Sequence, residues 1–178
     1  MIRTFSLILI SIFLLGCNNM KISDFENTTP KFDLFNYFEG QTMAYGIFED
    51  RFGNVKRQFR VEIIGTIKDE KLILDEQFYF DDGERDERIW TIQKDENGDY
   101  VGYADDVIGM AKGVVAGNAL NWRYDLDLKV GDSNLRVHFD DWMFLQEGDV
   151  LINRATVTKW GFDVGQVSIF FVRPAIAA

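Results

Sequence analysis

Trp122, Tyr124, Leu126 and Leu128 alternate with Arg123, Asp125, Asp127 and Lys129, and this two-residue period recurs along most of the chain. Successive side chains on a strand point to opposite faces, so the pattern describes sheet with one buried and one wet face. Val55, Arg57, Phe59, Val61, Ile63, Gly65 and Ile67 alternate in the same way with Lys56, Gln58, Arg60, Glu62, Ile64, Thr66 and Lys68. Leu72, Leu74, Glu76, Phe78 and Phe80 form a third such row. Turn formers separate the runs, among them Arg51-Phe52-Gly53-Asn54, Asp81-Asp82-Gly83, Asn97-Gly98, Glu147-Gly148-Asp149 and Trp160-Gly161. With no amphipathic helix between them, these strands predict an antiparallel meander. An open meander exposes two unpaired edges, which closure removes. The expected fold is all-β: an antiparallel up-and-down barrel, lipocalin- or calycin-like, of about eight to ten strands. Phe32, Leu34, Phe35, Tyr37 and Phe38 precede it, too short a cluster for a long helix. They predict a short N-terminal helical turn that lids or plugs the barrel.

The start of the chain carries a different signal. Arg3 precedes an apolar run from Phe5 to Leu15 in which only Ser6 and Ser11 are polar. That run is too short to span about 30 Å of hydrocarbon, and polar Asn18-Asn19 follows it. Leu14-Leu15-Gly16-Cys17 resembles the lipobox at which bacterial lipoproteins are cleaved and acylated. The expected organisation is a signal peptide over 1–16, a lipidated tether over 17–31, one barrel domain over 32–174 and a tail over 175–178. Cys17 is the only cysteine, so acylation would remove an otherwise unpaired thiol. Asn18 is not the aspartate that retains such proteins at the inner membrane, so the expected location is the periplasmic face of the outer membrane. The membrane partner is reached through the lipid on Cys17. Loss of Arg3 with the signal makes the net charge of −10 one unit more acidic, which argues against nucleic acid. A membrane-spanning barrel would also alternate. Against that stand the lipobox, the non-aromatic end Pro174-Ala175-Ile176-Ala177-Ala178, and the charges of Arg57 and Glu76 on otherwise apolar faces.

Between the strands' regular rows lies one unusual stretch. Gly109, Gly113 and Gly117, with Ala111 and Ala119, are expected to bare one face of a strand. Glycine in a strand marks curvature or close approach of another group. Either Trp122, Trp142 or Trp160 packs on this face, or it leaves room for a ligand. Asp105-Asp106 and Asp140-Asp141 cannot form side-by-side dyads on a strand. One member of each pair is expected to face inward and to need a cation such as Arg57, Arg123 or Arg154. The candidate pocket or core polar residues are therefore Arg57, Glu76, Asp106, Arg123, Asp141, Trp142 and Arg154. Catalytic inventories fail. His138 is the only histidine, and beyond the signal the serines are Ser23, Ser133 and Ser168, none in a nucleophile elbow. No enzyme activity, metal or cofactor is expected. Asp95-Glu96-Asn97-Gly98-Asp99 lacks the glycine and glutamate positions of a calcium loop and reads as a hairpin turn.

Several motifs then coincide. Tyr37-Phe38-Glu39-Gly40, Tyr45-Gly46-Ile47-Phe48-Glu49-Asp50-Arg51-Phe52-Gly53, Phe80-Asp81-Asp82-Gly83, Gly117-Asn118-Ala119-Leu120-Asn121-Trp122 and Asp140-Asp141-Trp142-Met143 resemble a proteobacterial lipoprotein family, domain of unknown function 3833. Tyr45 stands where that family carries tryptophan. The resemblance covers nearly all of the chain after the signal. It implies no established activity and supplies no catalytic residues, and the fatty-acid-modification genes beside family members point toward lipid. The expected function is an envelope lipoprotein whose barrel binds a fatty acid, lipid or other small amphipathic ligand. The alternatives are an accessory module acting through protein contacts and, behind it, a carboxylate-dependent hydrolase. The sequence leaves the oligomeric state open.

Overall fold

The structure, a computed structural model, describes residues 20–130 and 133–173. The expected signal peptide, Cys17 and the tail fall outside them. Ten antiparallel strands follow one another around a closed barrel in which β1 also pairs with β10. They are β1 (Gly40–Asp50), β2 (Val55–Lys68), β3 (Lys71–Phe80), β4 (Arg85–Lys94), β5 (Tyr100–Tyr103), β6 (Val107–Ala116), β7 (Ala119–Val130), β8 (Ser133–Leu145), β9 (Leu151–Lys159) and β10 (Phe162–Val172). The up-and-down barrel read from alternation is thus the fold, with the strand number at the top of the expected range. Closure rests on the ladder from Met43 opposite Val172 to Asp50 opposite Gly165.

The hairpins explain much of the acidity at the loops. Asp50 Oδ1 accepts from the backbone N–H of Phe52 and Asn54 at 2.9 and 3.0 Å. Asp95 Oδ1 repeats this with Asn97 and Asp99 at 2.9 and 3.0 Å. Each carboxylate supplies acceptors that the turn backbone lacks.

One end of the barrel is sealed. The helix α1 (Leu34–Phe38) starts on Asp33, whose side chain accepts from Asn36 N, a helix cap of the usual kind. Leu34, Tyr37 and Phe38 are buried. Phe38 meets Phe171 edge to face at 5.5 Å, and the Tyr37 hydroxyl reaches the carbonyls of Asp149 and Phe171 at 3.0 and 3.2 Å. Gly65 is required here, because the Phe38 carbonyl lies where a Cβ would stand. Residues before α1 run along the outer wall. A one-turn 3-10 helix (Ile22–Phe25) sets Phe25 against Trp142 and Phe144, at ring separations of 6.0 and 5.4 Å. Thr28 Oγ1 donates to Asn118 Oδ1 at 2.7 Å. Among the described residues no helix is long and apolar enough to cross a membrane.

The expectation of one bare face through Gly109, Gly113 and Gly117 is corrected. A register shift between Ile108 and Lys112 bulges β6, leaving Gly109 exposed at φ 76°. Gly117 occupies the β6–β7 turn at φ 55°, beneath the Phe25 carbonyl. Only Gly113 faces inward, and there the Trp122 indole lies over both Gly113 and Gly102. Of the two readings of this stretch, the packed one holds at Gly113.

Candidate functional site

Inward-facing residues change character along the barrel axis. Toward the α1 end, Leu72, Leu74, Trp90, Ile92, Leu120, Leu151 and Phe171 are buried and close-packed. Toward the opposite end, Phe48, Phe59, Phe78, Phe139, Val164 and Val167 pack against that core yet remain only half-buried. The α1 end is therefore a floor, and the far end is a mouth rimmed with half-buried rings, where Val107, Leu126, Val137 and Val157 are themselves buried. Phe59, Phe78 and Phe80 sit within 5.8–6.2 Å of one another, and Tyr124 stacks on Phe139 at 5.0 Å.

Charged groups stand between floor and mouth. Glu76 on β3 is opposite Arg88 on β4 and Ile63 on β2, in the inward row with Leu74 and Phe78. Burial pushes its carboxyl up to about 7; Arg88 opposes this, the charges of Asp106 and Asp141 add to it, and the Trp90 indole donates to it. Arg88 grips Asp106 through Nε at 3.0 and 3.1 Å and through Nη2 at 2.6 Å. Asp141 on β8 is 7% exposed and hydrogen-bonded by the Asn153 amide. Burial pushes Asp141 up to about 7 as well, against the Asn153 hydrogen bond and with help from Asp140. Burial raises Tyr124 well above its ordinary value, and its phenol feels Asp141, Arg88, Glu76 and Asp106 together. These groups form one polar cluster at mid-height in the lumen.

The sequence candidates divide between the two sides of the wall. Glu76, Asp106 and Asp141 belong to the cluster. Arg57 is at the mouth, its guanidinium 3.6 Å from the Phe80 centroid and bound to Asp82 and Glu84 at 3.0 and 2.8 Å. Arg123 is on the outer wall, paired with Asp140 at 3.2 Å. Trp142 is also outside, stacked on Phe144 under Phe25. Arg154, opposite Trp142 and Ser168, is exposed. No arginine among the three expected partners meets Asp141, whose partner is Asn153. Arg88, Tyr124 and Asn153 were not picked out from sequence. His138 stands outside, with Nδ1 2.8 Å from Asp125 Oδ1, beside a shallow outer groove of about 420 Å³ that also touches Met110, Lys112 and Arg123.

The family model for proteins of unknown function, DUF3833, matches residues 11–173. The chain belongs to the DUF3833 family. No curated protein sequence matches it. The matched span takes in all ten strands, α1 and the segment along the outer wall. In this DUF3833 barrel, three buried side-chain polar atoms among the described residues stand without a partner: Thr42 Oγ1, Arg57 Nε and Asn153 Oδ1. Buried polar groups are ordinarily satisfied, so each asks for an explanation.

Proposed function

We propose that the barrel binds a small amphipathic ligand of lipid type through its mouth, in a protein held at the cell envelope by acylation of Cys17. The observation that carries the binding reading is the inward yet half-buried set Phe48, Phe59, Phe78 and Phe139 above a sealed floor. Aromatic and aliphatic walls with a few convergent polar groups are what small apolar ligands select. The outer wall carries Arg60, Glu62, Lys112, Arg123 and Asp125, which suits a barrel surrounded by water. Native mass spectrometry of the purified protein after exposure to mixed lipid would show a retained adduct. Persistently empty protein would sink the binding reading. Metabolic labelling with palmitate tests the anchor: label on the native chain that disappears in Cys17→Ser supports it.

A further inference from the structure

The charged outer wall does not run all the way round the barrel. Outward side chains alternate with buried ones along each strand, and over β2 to β8 they include Arg60, Glu62, Asp75, Glu87, Lys112 and Arg123. On β9, β10 and β1 the outward residues toward the floor are instead Ile152, Phe170, Val172, Met43, Tyr45 and Ile47. Ile152 lies opposite Phe170 and Phe170 opposite Tyr45, and these two rings are 50% and 52% exposed. Of the outward positions from Ile152 to Arg154, Ser168 to Val172 and Met43 to Ile47, Arg154 alone is charged. The row continues through Phe144, opposite Ile152, to Phe25 at 5.4 Å. In a chain of net charge −10, a contiguous apolar face depleted of charge marks an interface.

The path of the chain itself points to what covers this face. Phe25 closes the one-turn 3-10 helix that begins at Ile22, five positions after Cys17. Five residues reach at most about 18 Å, so acyl chains on Cys17 would hold the floor half of the barrel against the leaflet. We propose that the outer face of β9, β10 and β1 docks on the lipid surface that takes the Cys17 acyl chains, with Phe170 and Tyr45 at headgroup level. The inference rests on the anchoring half of the reading above and is independent of any lumen ligand. Tethering makes the contact intramolecular, so a weak attraction suffices. A tyrosine ring suits the membrane–water boundary, and Arg154 can lay its stem on the apolar row while its charge reaches the headgroups. The face carries no acid, so it suits a neutral lipid surface. The barrel then reclines with β5 uppermost, since β5 stands across the ring of ten from β10.

Hydroxyl-radical footprinting of the full acylated chain in phosphatidylcholine vesicles, set against Cys17→Ser free in solution, tests this. Labelling at Tyr45 and Phe170 should fall severalfold on the vesicles, while Tyr103 of β5, 43% exposed, keeps its label. Phe170→Glu, a change at an exposed position, should restore the label at Tyr45 with the Cys17 acyl chains still attached. The wild-type footprint decides the matter even where that variant does not fold. Undiminished labelling of Tyr45 and Phe170 on vesicles would overturn the docking and leave the anchor standing. Protection that appears in Cys17→Ser without lipid, and grows with protein concentration, would assign the face to a second copy and overturn it too. So would protection confined to Phe52 and Trp160 at the mouth. A native chain that takes up no palmitate would remove the anchor, and the docking with it.

Discussion

Trp122 replaces the side chains that Gly102 and Gly113 lack, and it meets Trp90 edge to face at 5.7 Å. Truncating it to alanine should lower stability by about 3–5 kcal/mol in urea unfolding, because the two glycines leave nothing to collapse into the gap. Glu76 and Asp141 act through pH. Below about pH 4 both carboxyls carry protons in the folded and the unfolded chain. Between about 4 and 7 the unfolded chain has released protons that the native barrel retains, so stability falls as pH rises and levels off above the folded values near 7. Thermal melts of the apo protein should therefore show a declining melting temperature from pH 5 to 8, and Glu76→Gln/Asp141→Asn should flatten it. A rising profile over that range would contradict the burial of these two acids. Both were legible in the sequence, since each breaks an otherwise apolar row. Arg88 was not, because Arg85-Asp86-Glu87-Arg88 is a run of charges that hides which of them turns inward. Nor could its partner be read, since the Arg88–Asp106 contact spans a strand pairing that no local pattern encodes.

Strands and turns were the most readable level, and their departures have local causes. The β6 bulge broke the inferred glycine row, and the β6–β7 turn claimed Gly117 as a seat for the Phe25 carbonyl. Neither follows from residue spacing, because alternation is silent about where a register slips. The α1 plug depends on close backbone approach, so Gly65→Ala should unseat it. We expect a loss of about 1–3 kcal/mol with faster amide exchange confined first to residues of α1 and the adjoining end of β2. Tyr37→Phe, which removes only the hydroxyl bonds to Asp149 and Phe171, should cost about 1 kcal/mol. At the mouth, Trp160 occupies the β9–β10 turn at φ 53° and is 86% exposed. A bulky residue in the left-handed region is strained, while asparagine is at ease there. Trp160→Asn should consequently raise the melting temperature slightly. A drop would mean that the indole makes a contact worth more than the strain.

The barrel has a floor at one end and an aromatic rim at the other, and its closure joins the two ends of the domain. Met43 finds its partner in Val172, across nearly the entire sequence of the barrel. Every other ladder forms between strands that are consecutive in the chain. Formation of the barrel is thus local until its final pairing, and that pairing carries the largest single loop-closure cost. A chain ending before Phe162 would hold β1 and β9 as bare edges, and such edges recruit other chains. That truncation should accumulate as aggregate, where the intact sequence is recovered soluble on gentle refolding. If the chain is exported N-terminus first, β1 pairs early with β2, while its other edge waits for the last strand to arrive. The interval between those two arrivals is when this protein most needs a chaperone.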